Sequence, residues 1–160
     1  MTEPGNMSAS STASDMPPTH AGITTDTSKG TTDAARQGIS WIRPLVFINL
    51  GLVALQPLSA GFFLSGYDRA VTVHAVVAQA LLLGALVQAV TAIILWRLRR
   101  VPAWVVRASL GLLVIVFLQN GLGYKKLYWL HVPIGVGIFA GLTRQASRLD
   151  TLWHRTGAQS

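Results

Sequence analysis

The sequence has no cysteine, and this absence removes several kinds of chemistry at once. A chain of 160 residues without cysteine forms no disulfides, thiolate zinc sites, iron–sulfur clusters or covalently attached c-type haem. Methionine is almost as scarce, since all three methionines lie within the first sixteen residues. The rest of the chain therefore offers no sulfur atom as a metal ligand.

Acidic side chains are also few. The single glutamate is Glu3, and the five aspartates all lie outside the apolar stretches. Ion-coupled transporters and proton pumps usually carry a carboxylate inside the membrane, so this lack argues against both. The net charge is +7, which in a soluble protein would indicate nucleic-acid binding. Here the basic residues stand at the ends of apolar stretches, where they set topology, and no nucleic-acid partner is expected.

What the chain has in quantity is apolar length. It is 51% hydrophobic and only 12% charged, which fits a polytopic protein whose main partner is the lipid bilayer. The longest apolar stretch covers the 27 residues 70–96, and His74 is the only ionisable side chain in it. As a helix it would be roughly 40 Å long, more than the ~30 Å hydrocarbon core of a bilayer.

The chain divides into three predicted parts. In residues 1–40, Ser, Thr, Gly and Pro fill 21 positions, which predicts a disordered cytoplasmic tail. Residues 41–146 are predicted to form a four-helix membrane domain, with spans at about 44–66, 70–96, 103–122 and 127–145. Residues 147–160 are basic and amphipathic, and are predicted to form a cytoplasmic tail on the membrane surface.

The short connections between spans predict an all-α fold, a transmembrane up-down-up-down four-helix bundle. Nine arginines mark one side of the membrane and three basic residues mark the other, which places both termini in the cytoplasm of a multi-pass plasma (inner) membrane protein. The nine are Arg36, Arg43, Arg97, Arg99, Arg100, Arg107, Arg144, Arg148 and Arg155, and the three are Arg69, Lys125 and Lys126.

Two histidines carry the functional prediction. His74 and His131 are each about the fifth residue of their span, so both should lie at the same depth near the outer face. The second and fourth helices of such a bundle are diagonal partners, and diagonal histidines at one level can ligate the iron of haem b from both sides.

The neighbouring residues are compatible with a flat ring and its carboxylates. Ala78 lies one turn from His74 and Gly135 one turn from His131, and these small residues would leave room for a porphyrin. Basic residues at the outer rim could pair with haem propionates. These residues are Arg69, Lys125 and Lys126.

Two segments resemble the ligand-bearing stretches of a known architecture. LSGYDRAVTVHAVVAQ (64–79) and LQNGLGYKKLYWLHVPIGVGIFAG (118–141) are similar to those of small b-type cytochromes and of one four-helix half of haem A synthase. The resemblance covers about residues 44–145, and also extends to small bacterial four-span membrane proteins in general. Val71 stands where haem A synthase has a catalytic glutamate, and the paired cysteines of some members are absent. The resemblance therefore implies haem binding rather than haem-modifying chemistry, and no catalytic residue is expected.

Three function classes remain open from the sequence. The first is a haem protein that transfers electrons or senses redox state near the outer face, with a redox protein as partner. The second is a cofactor-free accessory subunit of a membrane complex, in which each histidine only bonds a nearby carbonyl such as that of Trp129, freed by Pro133. The third, disfavoured by the missing carboxylate, is a small channel or transporter.

Overall fold

Helices form all of the regular structure that is described. The computed structural model describes residues 24–157, and the side chains of residues 30–156. In that range there are four helices and no strand: α1 Thr24–Leu64, α2 Arg69–Arg97, α3 Ala103–Tyr124 and α4 Tyr128–Gly157. The predicted all-α fold is confirmed. The first 23 residues of the predicted tail lie outside the described part of the chain.

The four helices occupy the corners of a square. Within the described range, the main chains of α1 and α3 each approach those of both α2 and α4, whereas the main chains of α1 and α3, and those of α2 and α4, stay farther apart. Helices α2 and α4, which carry the two predicted ligands, are therefore diagonal. Between the helices lies one core of aliphatic side chains that includes Ile42, Leu81, Val105 and Leu142.

The first three helices end in the same way. In each, a main-chain N–H just past the end of the helix donates to the carbonyl oxygen five residues earlier. The residue immediately before this donor has a positive φ, as in a Schellman motif. The residues with positive φ are Gly66 at 93°, Arg99 at 57° and Lys126 at 58°. The corresponding bonds join Tyr67 to Phe62, Arg100 to Leu95 and Leu127 to Leu122. These closures produce the short reversals that hold neighbouring helices together.

Three of the described helical segments are long and apolar enough to cross a membrane. They are Gly30–Leu64 of α1, the whole of α2 and the whole of α3. Helix α4 was also predicted as a span but is not among them. Its apolar run is diluted by His131, Pro133 and several glycines, and it ends at Arg144 and Gln145.

Helix α1 begins earlier, and α4 ends later, than the predicted spans. Residues 24–40, assigned to the tail from composition, are helical, and Ile39 is buried. Gly38 lies against the main chain of Arg100, where a Cβ atom would not fit. The predicted surface tail instead continues α4, and its Leu149 is fully buried in the core. The two extensions pack on each other through Arg36 and Trp153, and the α1 extension also packs on the α2–α3 connection through Gly38.

The two ends of the bundle differ in chemistry. We call the end that holds Arg43, Arg100 and Asp150 the arginine end. We call the end that holds His74 and His131 the histidine end.

Candidate functional site

The histidine end brings the two predicted ligands face to face. The ring centres of His74 and His131 are 6.2 Å apart, and their planes are inclined by 53°. Both residues are half-buried, and they come from helices that lie diagonally across the bundle. If either helix were rotated by half a turn about its axis, its histidine would point out of the bundle. The prediction that His74 and His131 form a pair therefore required this rotation of both helices.

The His74 ring is held by helix α1. Its Nδ1 lies 3.2 Å from the main-chain oxygen of Gln56 and 3.0 Å from Ser59 Oγ. Because a carbonyl oxygen only accepts, Nδ1 carries the proton and donates it. The Ser59 hydroxyl donates to the same Gln56 oxygen over 2.9 Å, so ring, hydroxyl and carbonyl form one compact unit.

The His131 ring is held by helix α3 at two points. Its Nδ1 donates to the main-chain oxygen of Gln119 over 3.1 Å, and the Gln119 side chain donates back to the main-chain oxygen of His131 over 2.6 Å. Two glycines make room for this pairing. A Cβ on Gly123 would meet the His131 ring at 3.2 Å, and a Cβ on Gly135 would meet the Gln119 amide nitrogen at 3.1 Å.

These bonds determine what the pair can do chemically. With both Nδ1 atoms donating to carbonyls, each neutral ring keeps its lone pair on Nε2, the atom by which an oriented histidine binds a metal. Two imidazoles on opposite sides of one metal, each bound at about 2.0–2.1 Å, have ring centres about 6 Å apart. The observed separation fits that arrangement. The described residues contain no group of three or more His, Cys, Asp or Glu able to hold a metal.

The other predicted site residues lie around this pair. Arg69, Lys125 and Lys126 are exposed at the histidine end, and none takes part in a salt bridge within the described range. Ala78 is half-buried one turn along α2 from His74. Gly135 was predicted to leave room for a porphyrin, but its open side is occupied by the Gln119 amide.

Polar atoms near the histidines lack partners. Within the described residues, Gln56 Oε1, Gln119 Oε1 and Asn120 Nδ2 are buried and make no hydrogen bond. Gln56 and Gln119 are also the residues whose main chains hold the two rings. Buried polar groups are normally hydrogen-bonded, so these three atoms are exceptions within the described part of the chain.

A second polar cluster lies deeper in the bundle. Asn49 donates to Gln88 Oε1 over 2.9 Å, and Gln88 donates to Ser109 over 3.1 Å and to Gln145 over 3.4 Å. All four residues are buried, and each comes from a different helix. We call them the polar layer. This layer fixes the rotation of all four helices together, and with it the alignment of the two histidines.

Sequence reasoning missed Ser59 and three members of the polar layer, Asn49, Ser109 and Gln145. Ser59, Asn49 and Ser109 each interrupt an apolar run of α1 or α3, whereas Gln145 lies where the apolar run of α4 ends. That interruption is the signal available in the sequence. It indicates that a polar group needs a partner, but it does not say which helix supplies one.

Comparison of the chain with models of protein families, with curated proteins and with solved structures finds no match. The resemblance to small b-type cytochromes and haem A synthase therefore rests on the two quoted segments. The structure defines the class as a helical bundle with three helices long and apolar enough to span a membrane, and with two histidines that face each other at one end.

Proposed function

We propose that the protein is an integral membrane protein that binds haem b, with His74 and His131 as its axial ligands. It sits in the plasma (inner) membrane with both termini in the cytoplasm and α4 as its fourth span. It transfers electrons or reports redox state near the outer face, together with a redox protein as partner.

One observation carries the proposal. The two imidazoles lie 6.2 Å apart, and each is oriented through Nδ1 by a main-chain oxygen of a neighbouring helix. Ligating histidines are commonly held through their other nitrogen in this way, which fixes the tautomer and raises the basicity of the ligating atom. A histidine with only a packing role would not require a second histidine facing it from the opposite helix.

The chain's own residues have separable tasks in this site. Haem iron held by two histidines supplies a one-electron couple. Gln56 and Gln119 hold the ring protons on Nδ1, and Ser59 fixes the Gln56 oxygen that accepts one of them. The exposed cations Arg69, Lys125 and Lys126 are positioned to neutralise carboxylates at the rim.

An absorption spectrum tests the proposal directly. The full chain would be produced in haem-supplied cells, purified in mild detergent and measured oxidised and reduced. We expect a Soret band and sharp reduced α and β bands. Both should disappear in His74→Ala and in His131→Ala, because removing either ligand breaks the two-histidine coordination.

His154→Ala is the matched control. His154 is exposed in the α4 extension, far along the chain from His131, and its Nε2 lies 3.6 Å from Asp150, so its loss should leave the spectrum unchanged. A featureless visible spectrum from folded wild-type protein with haem in supply would refute the proposal. Equal loss of the bands in all three variants would also count against it, because the effect would then not be specific to the pair.

A second candidate is a cofactor-free accessory subunit of a membrane complex. The hydrogen bonds of the imidazoles favour it, since they already join α1 to α2 and α3 to α4. On this view the histidine variants lower the free energy of unfolding, and no variant or wild-type protein absorbs in the visible range.

A further inference from the structure

The arginine end contains a cleft that the proposed haem site does not use. It has a volume of about 520 Å³ and is lined by Ser40, Arg43, Pro44, Phe47 and Trp153. This is within the size range of small-ligand pockets. Along α1 it lies roughly 24 Å from Ser59 and the histidine pair.

Arg43 is the centre of this cleft. Its guanidinium carbon lies 5.5 Å from the Phe47 ring and 5.7 Å from the Trp153 ring, so the planar group is held between two aromatic faces. One terminal nitrogen binds Asp150 over 2.6 Å. Its Nε is buried and has no hydrogen-bond partner within the described residues. A buried charged donor without an acceptor is costly, so Asp150 alone does not satisfy this guanidinium.

The surroundings of Arg43 define the acceptor. A second guanidinium, that of Arg36, lies 5.1 Å from the Trp153 ring, which adds positive charge to the same wall. Asp150 is the carboxylate in contact with Arg43, and it is partly engaged by His154 at 3.6 Å. Pro44 and Phe47 give the cleft an apolar wall next to the charged one. A guanidinium presented in this way suits phosphate, whose oxygens accept two parallel N–H bonds.

We infer that this cleft binds a phosphate-bearing anion, which accepts a hydrogen bond from the exposed part of the Arg43 guanidinium. The apolar wall and the position at the end of a spanning helix match the headgroup of an anionic phospholipid. A soluble phosphate compound presents the same chemistry, and the experiment separates the two sources.

The test titrates the purified full chain in uncharged detergent with phosphatidylglycerol, with phosphatidylcholine and with inorganic phosphate. Binding is read by native mass spectrometry and by the shift in melting temperature. We expect phosphatidylglycerol to bind, and Arg43→Gln to weaken it at least about tenfold. Asp150→Asn should strengthen binding, because it removes the carboxylate that competes for the same guanidinium. Arg107→Gln removes an equal charge from an exposed position outside the cleft and should change binding less than about twofold.

The arms of the experiment give distinct answers. Phosphatidylglycerol binding without inorganic phosphate binding identifies the lipid headgroup, and the reverse identifies a soluble phosphate compound. Equal losses in Arg43→Gln and Arg107→Gln would overturn the site, as would absence of binding by either probe. If Arg43→Gln does not fold, Arg43→Lys replaces it, since lysine keeps the charge and removes the guanidinium. Full binding in Arg43→Lys together with no gain in Asp150→Asn would refute the inference.

Discussion

Gln119 shows how much of the site depends on a residue that is not a ligand. Its main-chain oxygen accepts from the His131 ring, while its side-chain amide donates to the His131 main chain. Its Oε1 remains buried without a partner in the described structure. The residue therefore fixes both the ring and the helix that carries it.

Replacing Gln119 separates orientation from ligation. We expect Gln119→Leu to keep the two-histidine bands and to lower haem affinity about 10–100-fold, the usual effect of losing a residue that orients a ligand. Haem titration of the purified apoprotein measures this, with the reduction potential as a second readout. The control is Gln79→Leu on the exposed face of α2. Equal effects in the two variants would contradict an orienting role.

Gly84 provides a test of the polar layer. A Cβ at this position would run into Asn49 Oδ1, so Gly84→Ala must displace the residue that binds Gln88. We expect the free energy of unfolding to fall by about 1–3 kcal/mol, measured by denaturation in mixed micelles. Gly111→Ala has open space around the new atom and should raise stability by about 0.5–1 kcal/mol. A loss at Gly111 similar to that at Gly84 would show that the clash is not the cause.

At the residue scale, the sequence indicated the two histidines but not the serine that holds the His74 ring. His74 stands out because it is the only ionisable side chain in a long apolar run, and His131 because it repeats that depth. Ser59 supports His74 only because α1 is rotated so that the serine faces α2. No local pattern specifies that rotation, which results from packing all four helices at once.

Among the helices, the turns are the most regular feature. Two of the three residues with positive φ at helix ends, Arg99 and Lys126, have side chains, and that conformation costs an ordinary residue roughly 1–2 kcal/mol. The turn that ends these three helices is therefore strained at Arg99 and at Lys126, whereas Gly66 adopts a positive φ without strain.

Relieving that strain gives a prediction for the α2–α3 connection. Arg99→Gly should raise the free energy of unfolding by up to about 1 kcal/mol, because glycine accepts the conformation while gaining some freedom in the unfolded chain. Arg97→Gly, inside the last turn of α2, should lower it by about 1 kcal/mol. Chemical denaturation in the same detergent compares the two, and a loss in both variants would contradict the strain.

Helix limits were the least predictable part of the fold. Pro44 is well suited to a helix start, and the residues before it have the composition of a tail, yet α1 begins at Thr24. The reason is tertiary. Gly38 admits the α2–α3 connection, Ile39 and Ile42 are buried, and α4 continues far enough to cover them. The composition of a short segment does not reveal contacts with residues more than a hundred positions away in the sequence.

For the whole molecule, composition was sufficient to predict the class. An apolar chain with few charges and short connections gave a four-helix bundle, and the diagonal placement of α2 and α4 follows the order of the chain. The up-down-up-down winding and the sides of the termini stay predictions, since they refer to a membrane.

The absence of cysteine makes those predictions easy to test. A single cysteine placed by Ser65→Cys, in the exposed turn after α1, should react with a membrane-impermeant maleimide added to intact cells, because the distribution of basic residues puts this turn outside. Thr151→Cys, exposed in the α4 extension, should react only after the membrane is opened. The opposite pattern would reverse the orientation.

The polar layer and the histidine pair divide in the same way between the two halves of the chain. The α1–α2 hairpin holds Asn49 bonded to Gln88 and the Gln56 oxygen bonded to His74. The α3–α4 hairpin holds Ser109 within 3.5 Å of Gln145 and the Gln119 oxygen bonded to His131. Each hairpin therefore orients one imidazole by itself. The two rings face each other only where the hairpins meet, so a ligand bound by both rings would link the hairpins and oppose their separation.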